Sequence, residues 1–509
     1  MLVFQTILAL LLGATVLFAV ARRTNIPYPT LLAVGGALVA FLPAAPRLDL
    51  PPELTLALFV APVLLDAAYD TSLRDLRRNW RLVSSLVLVA VGLTTVAVAL
   101  AARLLLPDLP WAAALTLGAL VAPPDAAAAL AVLRQVDPPY RIRMVLEGES
   151  LLNDASALLI YKLALAAVAA GTFSMTDAVP TFALVVVGSI AVGWLLAWPV
   201  GLLIAHIEHA PTSVILQFVI TFGIWLAAER LGLSAVVTIV VFGMSAARRS
   251  AFAMPARLRV PSFAIWESVT FVLNVLAFTL IGLQLRPILE GLNAAGRLRL
   301  VDAGLVILAV VIVIRLVWVM TYTLIQLWSA SRIANPSMPP LTFKAGLVIG
   351  WSGMRGIVTL AAALALPAGF PYRDFIQLTG FIVVLGTLVI QGLTLRPLLV
   401  LLHLPKDSTV EREIGVAREA ALKAAMAALE GDETPAAQRL RLEYQEALRQ
   451  ARRGSDPRER PDNALRQRVV PASRRAIDDL RDSGAIGDEA YRLVEEELDW
   501  LELSSRPRQ

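Results

Sequence analysis

Leu146 to Lys162 reads LEGESLLNDASALLIYK, a stretch inside a long apolar run that still carries Glu147, Glu149, Asn153, Asp154 and Lys162. Ionisable side chains at membrane depth are costly, and where they persist they mark ion pathways or internal pairs. Ser150, Asn153 and Asp154 recur at i, i+3 and i+4, a spacing that gathers them on one face of a helix. A helix over 142–169 rises 1.5 Å per residue, so Asp154 falls close to mid-bilayer. Glu149 precedes that face by one residue and looks elsewhere.

The surrounding chain is of the same kind. Of 509 residues 57% are hydrophobic, and the mean hydropathy is +0.70, against roughly 45–50% apolar content in soluble domains. Runs long enough to span a bilayer, about 17–25 residues each, recur from Leu2 to His403 and then stop. Gly, Pro and charge clusters divide them into thirteen helices: 3–21, 27–44, 54–70, 81–104, 111–134, 142–169, 179–205, 212–231, 234–247, 261–284, 301–329, 342–366 and 374–402. An odd number puts the termini on opposite sides. Fifteen basic residues fall in the loops of one side and seven on the other, so the positive-inside rule places the N-terminus outside and the C-terminus in the cytoplasm of the cell (inner) membrane. No charged region precedes the first apolar stretch and Arg22-Arg23 follow it, the pattern of a first spanning helix rather than of a cleaved signal. Residues 1–403 are thus a transmembrane domain. Residues 404–509, with 19 Lys+Arg and 22 Asp+Glu, form a cytosolic helical region, either a solvated extension or a regulatory module. There Val416–Leu429 and two short helices between Ala472 and Leu503 are expected, with a turn-rich linker over Gly454–Pro461.

Other chemistries lose ground on composition. The pI of about 9.7 reflects basic loops at a membrane surface, not a nucleic-acid footprint. There is no Cys, and the three His, at 206, 209 and 403, sit at membrane boundaries without an HExxH pattern. No P-loop lysine motif supports an ATP-driven pump. No nucleophile, base and metal constellation supports an enzyme, and no cofactor is called for.

Two spans are interrupted. Val121-Ala-Pro-Pro-Asp125 puts a proline pair inside the fifth, where lost donors and ring clashes unwind the backbone. Gly350-Trp-Ser-Gly-Met-Arg-Gly356 weakens the twelfth with three glycines. With the seventh helix as a linker, each break falls in the fifth helix of a six-helix half, the signature of a transporter with inverted repeats and a midplane site. Asp125 and Asp154 then lie at one depth on consecutive antiparallel helices, beside carbonyls freed by the break, an oxygen-rich site for a hard cation. A carboxylate out of water must be neutralised by a proton or by a cation. If only the neutralised site crosses between the faces, exchange is obligatory. The structural alternative is that both carboxylates cap half-helices or pair with Arg. Glu149 is expected to pair with Arg355 and tie the halves together. Asp66 lies toward the cytoplasmic end of the third helix, in an inner funnel or at a solvated end. Glu267, Asn274 and Arg315 are further polar groups for internal pairing, and Lys162 has no assigned partner.

Four stretches, Leu146 to Ser156, Gly350 to Ala368, Asn274 to Leu285 and Gln391 to Pro397, resemble the monovalent cation:proton antiporter superfamily in its NhaP and NHE branch of sodium/proton exchangers. The resemblance implies an all-α polytopic fold with crossed discontinuous helices of the NhaA/NhaP type, a homodimer, and exchange of Na+ (or Li+) for H+. The Asn153-Asp154 pair matches the electroneutral, one-for-one form. Asp154 becomes the main carrier of cation and proton. Ser150, Asp125 and the carbonyl of Pro124 become ligands, and Asp66 contributes directly or through water. Asn153 supports the site, and Glu149 with Arg355 forms the structural pair. The break departs from the family's Thr-Asp-Pro, reading Pro124-Asp125-Ala126, so the Thr hydroxyl is gone while the carbonyl stays. A potassium/proton antiporter of the same mechanism, and a cation channel with a cytosolic gate, are the alternative readings. The channel lacks a repeated carbonyl filter motif.

Overall fold

The computed structural model describes residues 2–42, 51–133, 135–136, 138–170, 175–292, 297–330, 341–405, 407–452 and 461–505. Arg47, Arg134 and Arg332, the linker over 454–460 and the side chain of Lys162 lie outside what is described. All described regular structure is helical. The chain divides into two units, Met1–Lys406 and Asp407–Gln509.

In the first unit the helices are α1 (Leu2–Thr24), α2 (Tyr28–Val39), α3 (Pro52–Asp70), α4 (Leu73–Arg78), α5 (Trp80–Leu105), α6 (Trp111–Val121), α7 (Ala126–Leu133), α8 (Tyr140–Ala170), α9 (Met175–Ala205), α10 (Ala210–Arg230), α11 (Ala235–Ala253), α12 (Ala256–Leu283), α13 (Leu285–Glu290), α14 (Arg297–Ala330), α15 (Phe343–Trp351), α16 (Ile357–Leu364) and α17 (Arg373–Leu402). Prolines set several starts: Pro51-Pro52 opens α3, Pro110 precedes α6 and Pro255 precedes α12, positions where the missing N–H has no intrahelical partner to lose. Among the described residues, six helical stretches are long and apolar enough to cross a bilayer by length and composition: Trp80–Leu105, Pro180–Ala205, Ala210–Arg230, Ala256–Glu290, Arg297–Ser329 and Arg373–Leu402.

Packing sorts these helices into two groups. α5, α6, α8, α14, α15 and α17 pack mainly on one another, and α1, α2, α3 and α9 to α12 form the other group. Within the second group α2 and α12 cross with their backbones in contact. A methyl on Gly36 would strike the carbonyl of Thr279, and one on Gly282 the backbone of Ala33 and Ala37. The groups meet where α16 packs on α3 and α17 on α2. α5 carries a π-helical turn at Ser85–Ala90, and the Ser156 hydroxyl of α8 donates to its Val87 carbonyl at 3.2 Å. Such turns leave carbonyls without their usual intrahelical partner.

The second unit consists of two helical hairpins, Thr409–Ala427 with Pro435–Arg452 and Pro461–Asp482 with Asp488–Ser505. Their turns use Gly431 and Gly484 at φ of 85° and 74°, a region that favours glycine. Ion pairs close them: Arg452 to Glu419 at 3.1 Å, and Arg474 to Glu502 at 2.8 Å and to Asp499. The sequence pattern marks no helix over Pro435–Arg452, and the pair expected between Ala472 and Leu503 begins earlier, at Pro461. Arg, Gln, Glu, Leu and Ala propagate these helices without the apolar run by which the spans were found.

Candidate functional site

Both interruptions are present. α6 ends at Val121 and α7 begins at Ala126, while α15 ends at Trp351 and α16 begins at Ile357. The two breaks meet. The Asp125 N–H donates to the Met354 carbonyl at 2.6 Å, and Gly356 lies so close to Asp125 that a methyl group there would overlap its carboxylate.

The charges at the crossing match the helix ends. A helix C-terminus leaves carbonyls without partners and carries partial negative charge, and an N-terminus carries the opposite. The Arg355 guanidinium serves the two C-terminal ends: Nε donates to Val121 O at 3.0 Å, Nη2 to Ala122 O at 3.3 Å and Nη1 to Gly353 O. Its own N–H donates to the Thr387 hydroxyl at 3.0 Å. Asp125 serves an N-terminal end, accepting from the Ala127 N–H at 2.8 Å. A fully buried cation and a half-buried carboxylate thus divide the crossing between them.

Asp125, Asp154, Ser150 and Asp66 come together on the wall of one cavity of about 760 Å³. Glu147, Asp70, Glu267 and Asn274 line it as well, and no Lys, Arg or His is among its described lining residues. Pro124 is buried in the break and is not part of that wall. Asn153 is fully buried behind the site, and its Nδ2 donates to Glu149 Oε1 at 3.2 Å.

The Glu149–Arg355 pairing expected from the sequence gives way to another. Glu149 takes both arms of Arg315 from α14, Nη1 on Oε1 and Nη2 on Oε2 at 2.9 Å. Arg315 Nη2 also reaches Ile349 O at 3.1 Å. Both residues are almost fully buried, where planar two-point pairing is the favourable geometry for a carboxylate. Arg355 is held by carbonyls because two helix ends converge on it. Thr387 has no distinguishing signal in the sequence, and Glu267, marked by its charge in an apolar run and expected to pair internally, lines the cavity.

At the solvent end of the site helix, Asp75 in α4 accepts from the Tyr140 hydroxyl at 2.9 Å and from Arg74, and Arg141 Nε donates to Asn79 Oδ1 at 3.1 Å. Burial disfavours the Asp75 carboxylate, but hydrogen bonds from Ser72, Tyr140 and Arg74 outweigh it and hold the group below the usual carboxylate range. Burial and the neighbouring Asp75 push Tyr140 up to about 12, so it remains a donor at physiological pH.

The model of the transmembrane sodium/hydrogen exchanger family matches residues 7–401. The chain belongs to that family. Among its relatives, a sodium, potassium, lithium and rubidium/H+ antiporter of Bacillus pumilus is 32% identical over 76% of this chain, which spans 61% of that relative's length. The low-affinity Na+/H+ antiporter NhaS1 of Synechocystis is 30% identical over 86% of this chain and 81% of its own. The sodium/proton antiporter MjNhaP1 of Methanocaldococcus jannaschii shares the fold, with a TM-score of 0.62 at 19% identity over 79% of this chain and 97% of its own. This exchanger-family chain is therefore a multi-pass membrane protein with the helical architecture of that group.

Proposed function

We propose that the chain exchanges Na+ (or Li+) for H+ across the membrane, one for one, by alternating access, with cation and proton competing for Asp154 and Asp125. The observation that carries this reading is the placement of those two carboxylates, with the Ser150 hydroxyl, on one cavity wall at the crossing of two broken helices. Desolvation leaves a carboxylate pair there in need of neutralisation, and the surrounding acidic wall raises the local concentration of cations. Asp154 carries the exchanged charge, Asp125 and Ser150 contribute oxygens, the Pro124 carbonyl and Asp66 complete the shell, and Asn153 supports it. Glu149 with Arg315, and Arg355 with the freed carbonyls, are the scaffold.

The finer architecture belongs to the same reading: thirteen spans in two inverted six-helix repeats about a linking seventh helix, a homodimer as the resemblance implies, and the N-terminus outside. In that orientation the cavity opens to the cytoplasm. Asp70 and Glu147 on its wall adjoin the connections that carry Arg74 to Arg81 and Arg141 to Arg143. Residues 404–509 are then a cytosolic region. Potassium in place of sodium is a second reading, favoured by the relative named for sodium, potassium, lithium and rubidium.

The test is a pH-dye assay on the full-length chain in proteoliposomes, with Na+, Li+ or K+ added in the presence and absence of an imposed voltage. Cation-driven proton movement that ignores voltage is expected. Voltage-driven exchange would overturn the one-for-one stoichiometry, and current without proton movement would overturn exchange itself.

A further inference from the structure

A second hollow lies among α3, α9, α10, α11 and α12. Its volume is about 110 Å³, and its wall is mostly apolar, with Leu65, Val200, Ile204, Ile220 and Phe242 among the lining residues. The polar groups in the wall are already engaged: Trp266 Nε1 donates to Gln217 Oε1 at 2.7 Å, and Gln217 Nε2 reaches the hydroxyls of Ser213 and Ser262 at 3.3 and 3.4 Å. Apart from Asp66 and Tyr69, what the wall offers is mainly hydrocarbon contact, and the volume approaches the ~150 Å³ of an apolar cavity that binds benzene. A stretch of acyl chain fits; a whole lipid does not. The hollow is open beside Gly201, where an added methyl group meets nothing within 4 Å.

Its rim supplies a charge. Arg259 is exposed and lines the hollow, and among the described residues it forms no ion pair. It ends a stretch, residues 246–259, that holds four arginines, at 248, 249, 257 and 259, and no acid. Basic clusters beside a membrane span attract anionic headgroups. An apolar slot next to a free guanidinium matches one occupant, a phospholipid with an anionic headgroup and one chain inserted. Asp66 and Phe263 belong to the walls of this hollow and of the ion cavity alike, so whatever fills the slot braces a wall of the ion path.

We propose that the slot between α3 and α9 to α12 binds an anionic phospholipid of the bilayer, headgroup on Arg259 and acyl chain among Val200, Ile204 and Phe242, and that the bound lipid supports exchange by bracing Asp66 and Phe263. The second half of this statement rests on the exchange reading above; the binding half does not.

Binding is read first, by thermal unfolding of the detergent-purified full-length protein titrated with phosphatidylglycerol, phosphatidylcholine or glycerol phosphate. Phosphatidylglycerol is expected to raise the midpoint saturably, phosphatidylcholine to raise it far less, and glycerol phosphate not at all. Arg259→Gln, at an exposed and unpaired position, and Ala246→Leu, which fills the slot, should each remove the phosphatidylglycerol advantage. Equal shifts from both lipids, a full shift from glycerol phosphate, or wild-type responses in both variants would overturn the site. Exchange in liposomes with and without phosphatidylglycerol then reads the bracing. A several-fold rise in wild type that Arg259→Gln loses supports it, and an equal rise in the variant overturns it. Absence of exchange in every lipid would count against the exchange reading and leave the binding result standing.

Discussion

At the scale of single residues, Asp154 and Asp125 are assigned the exchanged charge, so Asp154→Asn or Asp125→Asn should reduce exchange to background while the purified protein elutes and unfolds as wild type does. Exchange retained in either would refute its assignment. Glu149 has a different task. Its pair with Arg315 is buried on both sides, and removing one member of such a pair leaves an uncompensated charge at a cost of about 3–5 kcal/mol. Glu149→Ala should therefore lower the unfolding midpoint sharply, and adding Arg315→Met should restore part of it. A double variant less stable than Glu149→Ala would contradict this. Gly356→Ala places its methyl group against the Asp125 carboxylate, so it should cost exchange at least tenfold in liposome assays although its backbone needs no special φ. The face that Asp154 shares with Ser150 on the cavity wall is readable from helical spacing alone. The choice between Arg315 and Arg355 as partner of Glu149 is not, because it depends on which helix packs against α8 and on two helix ends converging on Arg355.

At the scale of elements, the proline pair marked one break and the glycine cluster the other, since both act through the local backbone. That the breaks cross in contact is a tertiary fact with no local signal. Pro123→Ala with Pro124→Ala returns two donors to the segment and lets α6 run on toward α7. Exchange should fall to background, because Asp125 loses its place at the start of α7. Full exchange in that variant would show that the unwound segment is dispensable. The membrane flank of α8 is fixed by Asp75. Its carboxyl lies below the usual range, so its hydrogen bonds stabilise the fold at neutral pH, and that contribution fades as pH drops through the folded value. Asp75→Asn should cost about 1–2 kcal/mol near neutral pH, with a difference from wild type that narrows in thermal unfolding as pH falls below the ordinary carboxylate range. A constant difference would contradict the role.

At the scale of the whole molecule, the exchanger family and the fold establish a multi-pass helical protein, and the orientation proposed from loop charge is open to direct test. The chain has no Cys, so a single Ala131→Cys on the cavity wall reports which side the cavity faces. A membrane-impermeant maleimide should label it faster from the cytoplasmic side, and the reverse would invert the topology. Competition between cation and proton for one carboxylate site is the central claim, and the apparent KM for Na+ measured against pH in proteoliposomes tests it most directly. Competition predicts that KM climbs toward tenfold per unit as pH falls while the maximal rate at saturating Na+ holds. A KM that stays constant across that range would contradict it.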